Sequence, residues 1–294
     1  MIHARAAALP VAAAGALAWL LAACGSDKST PVETPPTAAK ITVSPPTASI
    51  VAGNTQQLTA QVLDANGNPL TNATVTWTSS DSNAVPVSSS GLASAFLPGT
   101  ATITAASGSV SGDAQMTVTA MPAVQLAEGG TIGKDVFPDG DTPSGGQGNA
   151  VDGIPCGAGA HDAEHYHAHL SLFANGEQIA IPRAIGIMNP ILEGETVLAG
   201  TCFYWLHAHD RSGIIHVEPS ETGHTFTLGQ YFDIWGQPLA SDKVATYSGP
   251  VTVYVDGKRY TGDPRAIVLA KYQQITLEVG TRVAPPVYTF PPGY

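Results

Sequence analysis

Between Lys40 and Ala120 the chain is written in short runs in which apolar and small polar residues alternate: Ile41-Thr42-Val43, Gln57 to Val62, Ala73 to Thr78, Thr100 to Thr104 and Met116 to Thr119. Alternation with a period of two sends every second side chain to one face of an extended strand, so a shared core forms when such strands lie side by side. Turn signals at Asn66-Gly67 and Pro98-Gly99 separate the runs at the spacing of a sandwich. Only 12% of residues are charged, and Thr, Val, Gly and Pro recur throughout, which extends the all-β expectation to the rest of the chain.

Within this segment, Leu58-Thr59-Ala60, Trp77-Thr78-Ser79-Ser80-Asp81, Ser90-Gly91-Leu92 and Pro98-Gly99-Thr100-Ala101-Thr102-Ile103-Thr104-Ala105 resemble the bacterial Ig-like domain of group 2. The resemblance implies a β-sandwich over residues 40–120 that serves as a spacer or adhesion module and brings no catalytic residues. The expected fold is therefore all-β: an Ig-like β-sandwich followed by a second β-rich domain, sandwich or barrel-like, with one short helix.

The N-terminus limits where such a chain works. A single basic residue, Arg5, precedes an apolar run from Ala6 to Ala23 and the tetrad Leu21-Ala22-Ala23-Cys24. Small residues before a cysteine mark a processed export signal ending in a lipobox. Residues 1–23 are read as a lipoprotein signal peptide, Cys24 as the lipidated residue, and 24–39 as a Ser/Thr/Pro-rich stalk too polar to fold. Gly25 follows the cysteine where an aspartate would signal retention, which resembles the pattern sent on to an outer membrane. The expected location is the cell envelope, with the membrane as a partner through the lipid and the domains facing the periplasm or exterior. Removing residues 1–23 takes away one basic and no acidic residue, so the formal net charge moves from −11 to −12. That balance disfavours a nucleic-acid partner and leaves a cell-surface or envelope ligand as the other partner class.

With Cys24 assigned to lipid, Cys156 and Cys202 remain, and an oxidising compartment favours one disulfide over two free thiols. Each lies five residues before a histidine group, at His161 and His207, so the bond would staple the two groups together. A Gly/Pro-rich segment, 121–150, reads as a linker or surface loop, 151–283 as a His-rich β domain, and 284–294 as a Pro-rich tail. Leu228, Tyr231, Phe232 and Trp235 follow helical spacing between Thr227, a cap, and Gly236, a stop.

Of nine histidines, eight fall between His161 and His224, within 64 consecutive residues. His165, His167 and His169 alternate along a strand that ends at the turn signal Asn175-Gly176, with Tyr166, Ala168, Leu170 and Leu172 on its other, core-facing side. His207, His209 and His216 flank a tight turn at Asp210 to Gly213. A four-residue loop sets His207 opposite His216, whereas a two-residue loop sets His209 there, and in either register the three share a face. Imidazole suits zinc and copper, and iron as well. The candidate ligands are thus His165, His167, His169, His207, His209 and His216, for zinc or copper in the first place. In ligand spacing alone they resemble the zinc site of α-carbonic anhydrases and the H-x-H start of cupin sites; neither family's remaining motif is present. Asp210, Glu164 and Glu218 are readable as carboxylate ligands, as partners orienting imidazole N–H groups, or as turn and surface charges. No residue is assigned a catalytic role. Metal capture or buffering, a metal-dependent enzyme with an open His-ligated position, and a metal-free adhesin or ligand-binding module are the three function classes left standing.

Overall fold

A computed structural model describes residues 36–141, 143–158 and 163–294; residues 1–35, where the signal peptide, the lipidated Cys24 and most of the stalk are expected, and His161 lie outside them. The alternating runs form the strands that their period requires. Lys40–Ser44 pairs antiparallel with Thr59–Leu63. A second, four-stranded sheet runs in the order Thr47–Val51, Val110–Thr119, Gly99–Ser107, Thr76–Ser79. Inward residues of both sheets, among them Ile41, Val43, Val62, Ile103, Met116 and Val118, make one buried core, while the intervening Thr and Gln residues stay outside. Gly91 is required where it stands: its φ is +82°, and a Cβ there would come within 2.6 Å of the Leu58 carbonyl and 2.9 Å of the Trp77 ring.

The second core belongs to a seven-stranded sheet. Its middle strand, Tyr166–Ala174, pairs antiparallel with Ile214–Val217 on one side and parallel with Gln274–Val279 on the other. Leu206–His207 extends the sheet beyond Ile214–Val217, and Val251–Val255 with Lys258–Tyr260 extends it at the opposite edge. Ala168, Leu170 and Leu172 point toward the one α-helix of the described residues, Leu228–Trp235, whose Leu228, Tyr231, Phe232 and Trp235 fill the same core. The helix starts at a reciprocal cap between Thr227 and Gln230 and stops at Gly236, which has a left-handed φ of 72°. No helix of the described residues is long and apolar enough to cross a membrane.

The other face of the same sheet differs from the simple in-and-out expectation. His167 and His169 are as buried as the apolar residues between them, at 3% and 1% exposure. The cover comes from segments without regular periodicity. Val124–Gln125 pairs with Tyr288–Thr289, so part of the 121–150 segment and part of the tail lie together on the second domain. From the same 121–150 segment, Asp139 holds both Arg183 and Arg211, at 3.0 and 2.8 Å, while Phe137 packs edge-on to Trp235 on the helix side of the sheet, with centroids 5.2 Å apart. Tyr288 sits over the sheet, accepting hydrogen bonds at its hydroxyl from Ser171 Oγ at 3.0 Å and Gln178 Nε2 at 2.7 Å. Toward the first domain, Arg282 donates to the Asn83 carbonyl at 2.9 Å and lies 4.3 Å over the Phe96 ring, and Ala284 joins the first core.

The disulfide Cys156–Cys202, with Cα atoms 5.4 Å apart, closes a small three-stranded sheet of Cys156–Gly157, Cys202–Tyr204 and Ile187–Met188. This sheet leads directly into Leu206–His207, so the bond stands at the foot of the second histidine group.

Ile103 is fully buried between the facing sheets of the first domain. Ile103→Ala is expected to lower the unfolding free energy of that domain by about 2–5 kcal/mol in a urea titration; a change below about 0.5 kcal/mol would contradict the shared core.

Candidate metal centre

Strand register places the histidines. His207 pairs with His216, and His216 pairs with His167, so three imidazoles stand in a row across three neighbouring strands. Of the two registers considered, the chain takes the one that sets His207 opposite His216, with Asp210 in the connection between the strands. Asp210 organises this turn: its Oδ1 accepts from the Ser212 amide at 2.9 Å and the Ser212 hydroxyl at 2.5 Å, and its Oδ2 from the Gly129 amide at 2.7 Å. With both oxygens engaged, Asp210 belongs to the turn and not to the imidazole group. Gly213 closes the loop with φ +85°, pressed against the Leu170 carbonyl where a Cβ would sit 2.4 Å away. Strand pairing continues the pattern by one step: Tyr166 pairs with Val217, which puts His165 beside Glu218.

Two sets of donors result. His165, His167, His216 and Glu218 form one, and His207, His209 and His216 the other; within each set the donor atoms lie within 4.8 Å of one another, close enough to hold a metal ion. In the first, His167 Nε2 is 3.0 Å from His165 Nε2 and 3.1 Å from His216 Nδ1, while Glu218 Oε1 is 3.0 Å from His165 Nε2 and 3.2 Å from His216 Nδ1. In the second, His207 Nε2 faces His209 Nε2 at 3.1 Å, and Glu218 Oε2 lies 3.8 Å from His207 Nε2. Two nitrogens on one tetrahedral zinc ion stand roughly 3.3 Å apart, given Zn–N bonds of about 2.0–2.1 Å.

Backbone carbonyls fix the tautomers in the second set. His207 Nδ1 lies 2.9 Å from the Tyr204 carbonyl and His209 Nδ1 lies 2.6 Å from the Val197 carbonyl. A carbonyl oxygen can only accept, so each Nδ1 carries the proton and each Nε2 of the neutral ring presents a bare lone pair. The Val197 amide returns a bond to the His209 carbonyl at 2.8 Å, so Val197 holds His209 through both its amide and its carbonyl. Orientation of a metal-binding imidazole through its other nitrogen is the usual supporting arrangement at such centres.

Burial keeps His207, His216 and His167 neutral. His207 and His216 titrate well below the ordinary imidazole value, first because burial disfavours the cation and second because neighbouring imidazoles would repel it. His167 is pushed down to about 4 by the same causes, with His165 the nearest like charge. His169 falls to about 4 through burial.

His169 is not brought to either set. It stands one step along the sheet, level with Ile214, where its Nε2 donates to the Ser212 carbonyl at 2.9 Å and its ring lies 3.9 Å from that of Tyr288. Glu164 is also apart, accepting from the Gly223 amide at 3.3 Å. Sequence reasoning left three contributors unassigned. Glu218 had a usable signal in its position two residues beyond His216 on the same strand face. The Tyr204 and Val197 carbonyls had none, because any residue supplies a carbonyl. A cavity of about 360 Å³, lined by Leu198, Ala199, Gly200, Phe203, His207, His209 and Glu218, opens onto the second set. Tyr294 covers the first, its ring 4.5 Å from that of His167.

Comparison with known proteins places the first domain. Residues 37–118 match the family described as "Bacterial Ig-like domain (group 2)". This segment is a bacterial Ig-like domain. The match ends before the histidine-bearing domain. Ice-binding protein 1 of Shewanella frigidimarina (strain NCIMB 400) is 41% identical over 85 residues, which is 28% of this chain and only 9% of that protein. Among solved structures, domains 4 and 5 of the S-layer protein SbsC are 26% identical over 29% of this chain and 53% of theirs, with a TM-score of 0.26. The adhesin InvE of Yersinia pseudotuberculosis is 16% identical over 63% of this chain and 52% of its own, with a TM-score of 0.22. Superpositions this loose carry nothing about the second domain.

The lowered His values fix the sign of a pH effect. Above about pH 6.5 the unfolded histidines are neutral, like the folded ones, and contribute no slope; as pH falls, the unfolded state takes up protons that buried His167 and His169 refuse until about pH 4. Unfolding free energy of the chelator-treated chain is therefore expected to fall between pH 6.5 and 4, by on the order of 3 kcal/mol for a ring as buried as His169. A His169→Asn chain should show a shallower slope over that window, and an unchanged slope would remove His169 as a cause.

Proposed function

We propose that the chain is an envelope lipoprotein, tethered through Cys24, whose second domain binds a transition metal through clustered imidazoles and serves in metal capture or buffering. Zinc and copper are the metals of choice, with iron admitted by the same donor set. The observation that carries the reading is the pair His207 and His209: two bare Nε2 lone pairs 3.1 Å apart, each ring fixed by a carbonyl on its far side. Without a proton between them such lone pairs repel, and a cation converts the repulsion into two coordinate bonds. Burial supports the same reading, since several imidazoles in a covered face are costly unless bonded. The Ig-like domain and the disulfide agree with an extracytoplasmic setting, in which the first domain holds the metal-binding domain away from the membrane.

A metal-dependent enzyme is the second reading, favoured by the cavity lined by Leu198, Phe203 and the second donor set. It requires one coordination position left for water or substrate.

Zinc added to the chelator-treated mature chain is expected to raise its thermal midpoint, corresponding to about 2.7 kcal/mol at a free concentration one hundred times the dissociation constant. His207→Ala and His167→Ala should each abolish or reduce that gain. No stabilisation by zinc, copper or iron would leave the metal-free adhesin class in front. Metabolic labelling with palmitate, lost in Cys24→Ala, tests the tether separately.

A further inference from the structure

We infer that the centre takes two metal ions, bridged by the Glu218 carboxylate, with the second ion open to the Leu198–Phe203 cavity. This rests on the metal-binding reading and goes beyond it in nuclearity and in the ligand taken. A single ion with bonds of about 2.1 Å reaches only donors within about 4.2 Å of one another. The six donor residues do not meet that condition together: they separate into two sets that have only His216 in common, the donor atoms of each set lying within 4.8 Å of one another.

His216 is claimed by one set. Its Nδ1 lies 3.1 Å from His167 Nε2 and 3.2 Å from Glu218 Oε1, so with His165 it completes a set of three nitrogens and one carboxylate oxygen. That is four protein donors, the number of a closed tetrahedral site. The second set keeps His207 and His209 and needs one more donor. Glu218 Oε2 lies 3.8 Å from His207 Nε2, and Glu218 lines the same cavity as His207 and His209, so one carboxylate faces His165 and His216 through one oxygen and His207 through the other. A negative bridge between two dications offsets their repulsion, and paired metal sites hold their ions about 3.5–4 Å apart.

The two positions are unequal. Tyr294 covers His167 and His216 of the first, while His207, His209 and Glu218 all line the cavity of about 360 Å³. Three protein donors leave a tetrahedral ion one free position, filled by water, hydroxide or a small oxygen- or nitrogen-donor ligand. Leu198 and Phe203 give that ligand an apolar wall. The first ion is thereby structural and the second exchangeable.

The test is a count. Native mass spectrometry and calorimetric titration of the chelator-treated mature chain with zinc are expected to give two ions per chain. His165→Ala, at an exposed ring, and His209→Ala, at a partly exposed one, should each leave one, and Glu218→Gln should weaken both by roughly 10–100-fold. Loaded with Cu(II), the wild-type chain should lose electron paramagnetic resonance intensity through coupling, and azide should perturb the spectrum of wild type but not of His209→Ala. One zinc per chain, removed equally by His165→Ala and His209→Ala, would overturn the dinuclear assignment and leave the metal-binding reading intact. A wild-type chain that binds none would overturn both, and the wild-type count decides this without any variant.

Discussion

The pairing of His167 with His216 and of His216 with His207 is the constraint on which the second domain turns. Hydrogen-bond register between strands is set by the backbone and by the loop at Asp210 to Gly213, and a slip of one residue would send every imidazole in the row to the opposite face. The turn therefore controls the chemistry of the site at a distance. Asp210 pins the loop through both carboxylate oxygens, and Gly213 allows the chain to pass the Leu170 carbonyl at a spacing no side chain could tolerate.

Register alone would give a stack of polar rings on a sheet surface; burial turns it into a centre. One side of the sheet is filled by the helix and its aromatic residues, an ordinary hydrophobic solution. The other is covered by pieces from far along the chain, including Tyr288 and Tyr294. That cover excludes water from His167, His207 and His216, which holds these rings neutral and leaves lone pairs free to accept a cation. Disulfide and carbonyl contacts stiffen the same region: Cys202 begins the short strand that leads to Leu206–His207, and Val197 fastens His209.

Much of this was legible in the sequence, and the reasons differ by element. Period-two runs in the first domain announce strands because local pattern and core position coincide there, and Gly91 and Asn66-Gly67 mark places where the backbone has few choices. The short helix was readable because cap, stripe and stop lie within ten residues, Thr227 to Gly236. The alternation His165-x-His167-x-His169 showed which side chains share a face but not which share a site. His169 parts from its neighbours because its level on the adjacent strand is occupied by Ile214 and because Tyr288, 119 positions later, takes the space beside it. Covering segments of this kind carry no periodicity, and their partners are fixed only by the completed fold. Backbone acceptors such as Tyr204 and Val197 are invisible for a simpler reason, since they are chosen by position and not by residue type.

Central to this account is that imidazole nitrogens, oriented by the sheet, form the first shell of a bound transition metal. X-ray absorption at the metal edge of the zinc-loaded or copper-loaded chain reads that shell directly. Nitrogen and oxygen neighbours at about 2.0–2.1 Å, with the outer-shell scattering of several imidazole rings, are expected. A shell of oxygen alone without imidazole scattering, or no stoichiometric metal to measure, would contradict it.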